Sequence, residues 1–129
     1  MKKRGILNRD IATVLAHLGH TDRIAIGDCG LPIPSHVPCI DISLRIGEPT
    51  FLHVLDEVLA DMAVEKMIMA EEIKEQNSPL YKKMKDKGYD SAFVSHDQFK
   101  QELTRVKAII RTGEATPYAN VILQSNVIF

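Results

Sequence analysis

His20 and Asp28 are the residue types in this sequence best suited to acid and base chemistry. An unperturbed imidazole titrates close to neutral pH, so His20 can give or take a proton under ordinary conditions. Asp28 follows a short apolar segment, Arg23–Gly27, and precedes a proline-rich loop, Gly30–Pro34. Ligands of open α/β sheets bind at loops that follow the carboxyl ends of strands. The pair therefore predicts an acid/base site, with a surface histidine and a turn aspartate as the alternative.

The spacing of these two residues limits how they can meet. If Arg23–Gly27 is a strand that rises about 3.3 Å per residue, His20 and Asp28 lie about 20 Å apart at opposite ends. They cannot then form one site within one chain. We expect that His20 of one subunit meets Asp28 of a neighbour. The apolar end of the chain, Val127–Phe129, agrees with an oligomer, because an apolar terminus is expected to be buried.

His96 is a second candidate for ligand contact. Ser95 and Gln98 form a capping-box pattern, which places His96 in the first turn of a helix directly after a predicted strand. It would then occupy the same kind of position as Asp28. The alternative is a first-turn residue without a special role.

The loop Arg111–Asn120 is dense in hydrogen-bonding groups and lies between two predicted strands. Tyr118 can lay its ring on the C–H face of a sugar, and Asn120 can both donate and accept hydrogen bonds. The alternative is a solvated loop with the tyrosine packed over the edge of the core.

Other reactive residue types carry weaker patterns. His17 and His20 have helical spacing for metal ligands with Asp22 nearby, but no further ligand follows at a typical spacing, and no metal is expected. Cys29 has no histidine positioned to activate its thiol, so we expect a small core or loop residue. Glu71-Glu72 is expected to be a solvated acidic loop, although two carboxylates can serve as acid and base.

Helical and strand patterns alternate along the chain. Predicted helices follow the caps Asn8, Thr50, Asn77 and Ser95. The predicted strands are Arg23–Gly27, Cys39–Ile42, Val64–Ala70, Ala92–Val94, Val106–Ile110 and Asn120–Gln124. This order predicts an α/β fold, a three-layer α/β/α sandwich with a mostly parallel, mixed sheet of about six strands. At least one pair should be antiparallel, because no helix separates the last strands.

Length and composition bound the class of protein. The 129 residues predict a single domain, 1–129. A net charge of −1, with both signs interspersed, argues against nucleic-acid and membrane partners. No segment is long enough to span a bilayer. The two cysteines are most simply free and reduced, so we expect a cytoplasmic enzyme or binding protein.

Four short motifs carry a family resemblance. They are Gly19-His20-Thr21-Asp22, Asp28-x-Gly30-Leu31-Pro32-Ile33-Pro34, Arg111-Thr112-Gly113-Glu114 and Pro117-Tyr118-Ala119-Asn120. Together they resemble the D-ribose pyranase (RbsD) group of the RbsD/FucU sugar mutarotase family, over nearly the whole chain. Fucose mutarotases are similar around the Gly-His pair but usually differ after the strand-end aspartate. Cys29 stands where a small residue is expected.

The resemblance implies a cofactor-free isomerase that interconverts the pyranose and furanose forms of D-ribose. It implies that His20 is the proton donor. The residues that would contact the sugar are Asp28, His96, Tyr118, Ala119 and Asn120. It also implies a homodecamer with the sugar in a cleft between subunits.

Three other functions remain open. A metal hydrolase using His17, His20 and Asp22 would lose its activity when a chelator is added. A fucose-type mutarotase would accelerate ring-form exchange of a different sugar. A non-catalytic cytoplasmic sugar-binding protein would bind ribose without accelerating exchange. His20 favours catalysis, because binding a neutral sugar does not require a group that titrates near neutral pH.

Overall fold

A sheet of six strands forms the centre of the structure, a computed structural model that describes residues 1–129. The strands are β1 (Arg23–Gly27), β2 (Cys39–Asp41), β3 (Val64–Ala70), β4 (Ser91–Val94), β5 (Ile109–Arg111) and β6 (Val121–Ser125). The helices are α1 (Arg9–His17), α2 (Phe51–Asp61), α3 (Ile73–Gln76), α4 (Ser78–Asp86) and α5 (His96–Glu102), and a 3-10 turn (Leu103–Arg105) follows α5.

The sheet is mixed, with the strand order β2-β5-β1-β6-β3-β4. The pairs β1/β5, β2/β5 and β3/β4 are parallel. Strand β6 runs antiparallel to both of its neighbours, β1 and β3. The expected antiparallel pairing is therefore confirmed, but β5 and β6 do not pair with each other, because β1 lies between them.

Apolar clusters cover both faces of the sheet, as the alternation of side chains along a strand requires. Ile24 and Ile26 of β1 belong to the larger cluster, which contains residues of α1, α2, α3 and α4. Ala25 lies in the second cluster with Phe99 of α5 and Leu103 of the 3-10 turn. Helices therefore lie on both faces, which confirms the predicted three layers.

The predicted helix caps lie where the sequence indicates. The side chains of Asn8, Thr50 and Ser95 each accept a hydrogen bond from the backbone N–H three residues later. In a complete capping box, the Gln98 side chain would also accept from the backbone N–H of Ser95, and this half of the prediction is wrong. The side chain of Gln98 donates to Glu102, one turn further along α5, and does not reach back to the helix start.

Two predicted segments need correction. The loop expected at Glu71-Glu72 leads directly into a short helix, Ile73–Gln76, because Ile73 is fully buried and anchors the turn in the core. The fifth strand was predicted over Val106–Ile110 and is Ile109–Arg111, because Val106 caps the 3-10 turn that ends at Arg105. Predicted boundaries of β2, β4 and β6 differ from the structure by single residues.

The end of the chain is exposed in the isolated subunit. Ile128 and Phe129 are 92% and 100% exposed. Burial of this terminus does not occur within the single chain, and its burial against another subunit stays a prediction. Among the helices, none combines the length and the apolar character that crossing a membrane needs.

Candidate active site

The candidate ligand-binding residues lie along one edge of the sheet. The five mutually parallel strands, β1 to β5, end at this edge, and the antiparallel β6 begins there. We call it the carboxyl edge. Asp28 follows β1, His96 follows β4, and Tyr118–Asn120 precede β6. The topology thus brings together all of the predicted ligand contacts except His20.

Asp28 and Asn120 form a paired hydrogen bond. The Asp28 backbone N–H donates to Asn120 Oδ1 at 2.8 Å, and Asn120 Nδ2 donates to Asp28 Oδ2 at 2.9 Å. The backbone N–H of Gly30 donates to Asp28 Oδ1 at 2.8 Å. Asn120 is only 2% exposed, so its amide is fixed in place. The carboxylate is held in one orientation while retaining lone pairs that can accept from ligand hydroxyls.

Tyr118 and His96 are in direct ring contact. Their ring centroids are 5.1 Å apart and their planes meet at 85°, an edge-to-face arrangement. His96 also stacks on Phe99 at 6.5 Å. The Nδ1 atom of His96 is buried and has no hydrogen-bond partner within the chain. Buried polar atoms are usually satisfied, so this nitrogen has an unused capacity for one hydrogen bond.

Glu72 is a member of the site that the sequence did not reveal. Both of its carboxylate oxygens accept from the backbone N–H of His96, at 3.1 and 2.9 Å. A carboxylate at a helix N-terminus is favourable, because it satisfies a free N–H group and the helix dipole. The solvated acidic loop expected for Glu71-Glu72 is therefore wrong for Glu72, which joins the ends of β3 and β4.

His20 lies at the opposite edge of the sheet, before β1. Its Nε2 atom is 3.0 Å from Glu65 Oε2, and its side chain is 51% exposed. The adjoining turn is fixed by the Gly19 N–H, which donates to Asp22 Oδ2 at 2.9 Å. Hydrogen bonds from Gln124 and from His20 lower the pKa of the Glu65 carboxyl, so a negative charge faces the imidazole. No contact joins His20 to Asp28 within one chain.

Backbone strain occurs beside both halves of the site. Thr21 and Tyr118 are the two residues other than glycine with a positive φ, at 70° and 56°. A β-branched or bulky residue is unfavourable in this conformation, and such residues cluster at functional sites.

The two charged side chains of the Arg111–Asn120 loop have structural partners. Arg111 lies 3.5 Å from Asp41, while Glu114 accepts from the backbone of Phe51 at 3.0 Å, so Arg111 and Glu114 do not pair with each other. Cys29 is exposed and free. No group of three or more histidine, cysteine, aspartate and glutamate side chains is arranged to hold a metal ion.

Comparison with known proteins decides the family. The model of the RbsD / FucU transport protein family matches residues 1–128. The chain belongs to the RbsD/FucU family. A family member from Halalkalibacterium halodurans, named D-ribose pyranase, is 58% identical over 129 residues, which are the whole of both chains. A D-ribose pyranase from Shouchella clausii is 57% identical over the same length.

Solved structures of RbsD/FucU proteins share the fold. Bacillus subtilis RbsD, solved in complex with D-ribose, superposes with a TM-score of 0.98 at 48% identity and full coverage of both chains. The fucose mutarotase of Streptococcus pneumoniae, solved with L-fucose, gives a TM-score of 0.78 at 23% identity, over 95% of this chain and 94% of that one. At that identity the second likeness concerns the fold alone.

Proposed function

We propose that this chain is an isomerase that interconverts the β-pyranose and β-furanose forms of D-ribose. The observation that carries the proposal is the 58% identity, over the whole of both chains, with a D-ribose pyranase. The carboxyl edge supports it. A paired aspartate and asparagine, an aromatic ring and an unpartnered histidine nitrogen suit a neutral, hydroxyl-rich ligand.

The reaction requires only proton transfers. A base takes the proton of the anomeric hydroxyl, and the electron pair of that O–H bond forms the aldehyde C=O. The C1–O bond of the ring breaks, and an acid protonates the departing ring oxygen. The open-chain sugar recloses when a different hydroxyl attacks the aldehyde. That hydroxyl returns a proton to the deprotonated acid, and the aldehyde oxygen takes the proton held by the base. No electron is gained or lost overall, so the balance requires no cofactor.

The proposed roles of the residues follow from their chemistry. His20 donates the proton to the ring oxygen, and Glu65 supports it by holding the imidazole in place through a contact of 3.0 Å. Asp28 and Asn120 bind sugar hydroxyls, and the free His96 nitrogen binds another. Tyr118 packs against the sugar. Positioned acids and bases of this kind each accelerate proton transfer by about a hundredfold or more.

We further propose that residues 1–129 form one domain that acts as a cytoplasmic homodecamer, with each site shared between neighbours. The separation of His20 from the carboxyl edge supports a shared site. The exposure of the apolar side chains Ile46, Ile128 and Phe129, at 85% or more, supports self-association. Cys29 and Cys39 are both exposed and free, which suits a reducing compartment.

Exchange NMR on D-ribose tests the proposal. With catalytic amounts of the metal-free protein, we expect faster exchange between the pyranose and furanose signals. His20→Ala should lose at least about a hundredfold of this acceleration while still binding ribose, because the proton donor is removed and the carboxyl edge is retained.

The controls separate the competing functions. Binding of ribose without faster exchange would contradict catalysis and support a sugar carrier. Acceleration of L-fucose exchange, with none for ribose, would support a fucose-type mutarotase. A fully active His20→Ala variant would contradict the role of His20 and leave the isomerase assignment standing.

A further inference from the structure

A series of hydrogen bonds ties the Tyr118 loop to the helices beneath it. The Phe51 backbone N–H donates to Glu114 Oε1 at 3.0 Å, and Thr116 Oγ1 donates to Glu114 Oε2 at 3.0 Å. Asn77 Nδ2 then donates to Thr116 Oγ1 at 3.1 Å and to the Pro117 carbonyl at 2.8 Å. We call these four contacts the Asn77 network. It connects the start of α2 and the α3–α4 junction to the loop before β6.

The side chain of Asn77 serves this loop and not its own helix. Asn77 precedes α4 at the position where an asparagine usually caps the helix. It makes no capping hydrogen bond there. It is 9% exposed, and both hydrogens of its amide go to the loop. The buried Asn77 amide therefore holds the loop and does not cap α4.

The hydrogen bond to Pro117 acts directly on the conformation of Tyr118. The Pro117 carbonyl belongs to the peptide group that joins Pro117 to Tyr118, and φ of Tyr118 is measured from that peptide plane. Asn77 therefore fixes the plane from which Tyr118 adopts its unfavourable φ of 56°. This backbone conformation directs the Tyr118 ring edge-on to His96.

We propose that Asn77 is a positioning residue for sugar binding, acting through Tyr118. This inference rests on the proposed function, because it takes the Tyr118 ring and the free His96 nitrogen as sugar contacts. Asn77 itself touches neither the sugar nor the proton donor. Its loss should therefore weaken ribose binding more than it slows the chemical step.

Asn77→Asp is the main test, because it keeps the shape of the side chain and removes both hydrogen-bond donors. We expect the KM for ribose to rise about tenfold with kcat changed less than about twofold. The NMR signals of the labelled Tyr118 ring should move as the ring leaves His96. Asn126→Asp is the matched control, because Asn126 is exposed and its side-chain oxygen accepts from Val127, which a carboxylate can also do.

Thr116 provides a second test that does not alter the buried amide. Thr116→Val removes the hydroxyl link and should raise KM severalfold, whereas Thr116→Ser keeps the hydroxyl and should restore the wild-type KM. Suppose that Asn77→Asp and Thr116→Val fold and keep the wild-type KM, while the wild-type protein is active. That result would overturn this inference alone. A loss confined to kcat would overturn it as well. Wild-type protein that neither binds ribose nor accelerates exchange would overturn the proposed function and the sugar role together.

Discussion

Gly27 determines how closely Asn120 can approach Asp28. A Cβ atom at Gly27 would lie 2.5 Å from Leu31 Cδ2 and 2.9 Å from Asn120 Oδ1. Contacts this short do not occur between well-packed atoms, so any larger residue displaces one or both neighbours. The absence of a side chain at the end of β1 therefore allows the buried asparagine to reach the backbone of Asp28. Gly27 supports binding without contributing a polar group of its own.

Gly27→Ala should separate Asn120 from Asp28. We expect a loss of about 1–3 kcal/mol in the free energy of unfolding, because Leu31 and Asn120 must shift to admit the methyl group. The KM for ribose should rise about tenfold, because the Asp28 carboxylate loses its fixed orientation. Denaturant unfolding and exchange kinetics on the same sample measure the two effects.

Gly30→Ala is the matched control for the added methyl group. The Cβ atom at Gly30 would lie 3.5 Å from Asp28 Oδ1, which is an ordinary contact. The free energy of unfolding of Gly30→Ala should differ from that of the wild type by less than about 0.5 kcal/mol. Equal destabilisation by both variants would contradict the steric role of Gly27.

Single residues differed in how far the sequence could predict their roles. The position of Asp28 at the carboxyl edge could be predicted, because it directly follows an apolar strand and precedes a rigid loop. Glu72 could not, because its partner, the N–H of His96, comes from the end of a different strand, and the sequence does not indicate that β3 and β4 are neighbours. The same limit applies to Glu65 and its contact with His20.

Elements with strong local signals were predicted well. The bounds of β1 and β3 agree with prediction residue for residue, because each contains an apolar run and an acidic residue follows its last residue. Helix α3 was missed because its polar composition conceals one anchoring residue, Ile73. The position of β6 between β1 and β3 could not be predicted, because strand order depends on packing over the whole sheet.

Ser95→Ala should weaken both α5 and ribose binding. Ser95 caps the helix that begins at His96, and its hydroxyl accepts from the Gln98 N–H at 3.1 Å. Loss of an N-cap costs about 1 kcal/mol of unfolding free energy. Because the first turn of α5 carries His96, the KM for ribose should rise severalfold. Thermal unfolding and exchange kinetics measure the two effects.

Asn8→Ala provides a control of the same kind at a different helix. Asn8 caps α1 through a hydrogen bond of 3.0 Å from the Ile11 N–H. Asn8→Ala should lose about the same free energy of unfolding as Ser95→Ala, while its KM for ribose stays at the wild-type value. An equal rise in KM in both variants would mean that Ser95 acts through overall stability and not through His96.

At the scale of the molecule, the proposed site is divided between two edges of one sheet. The proposed proton donor, His20, lies before β1 and contacts Glu65 of β3, while the proposed sugar contacts follow β1 and β4 or precede β6. A strand of five residues separates the two groups in every subunit. If His20 is the proton donor, assembly must bring His20 of one copy to the carboxyl edge of another, and catalysis should then depend on subunit contact.

Complementation between two inactive variants tests this division. His20→Ala and Asp28→Asn should each lose activity alone, because every site then lacks the donor or the sugar-binding carboxylate. If each site takes these residues from different subunits, co-refolding equal amounts should restore about a quarter of wild-type activity, the share of sites that receives both native residues. The same variants mixed without subunit exchange should stay inactive. Absence of recovery in co-refolded assemblies of native size would mean that both residues act from one chain, against the separation across β1.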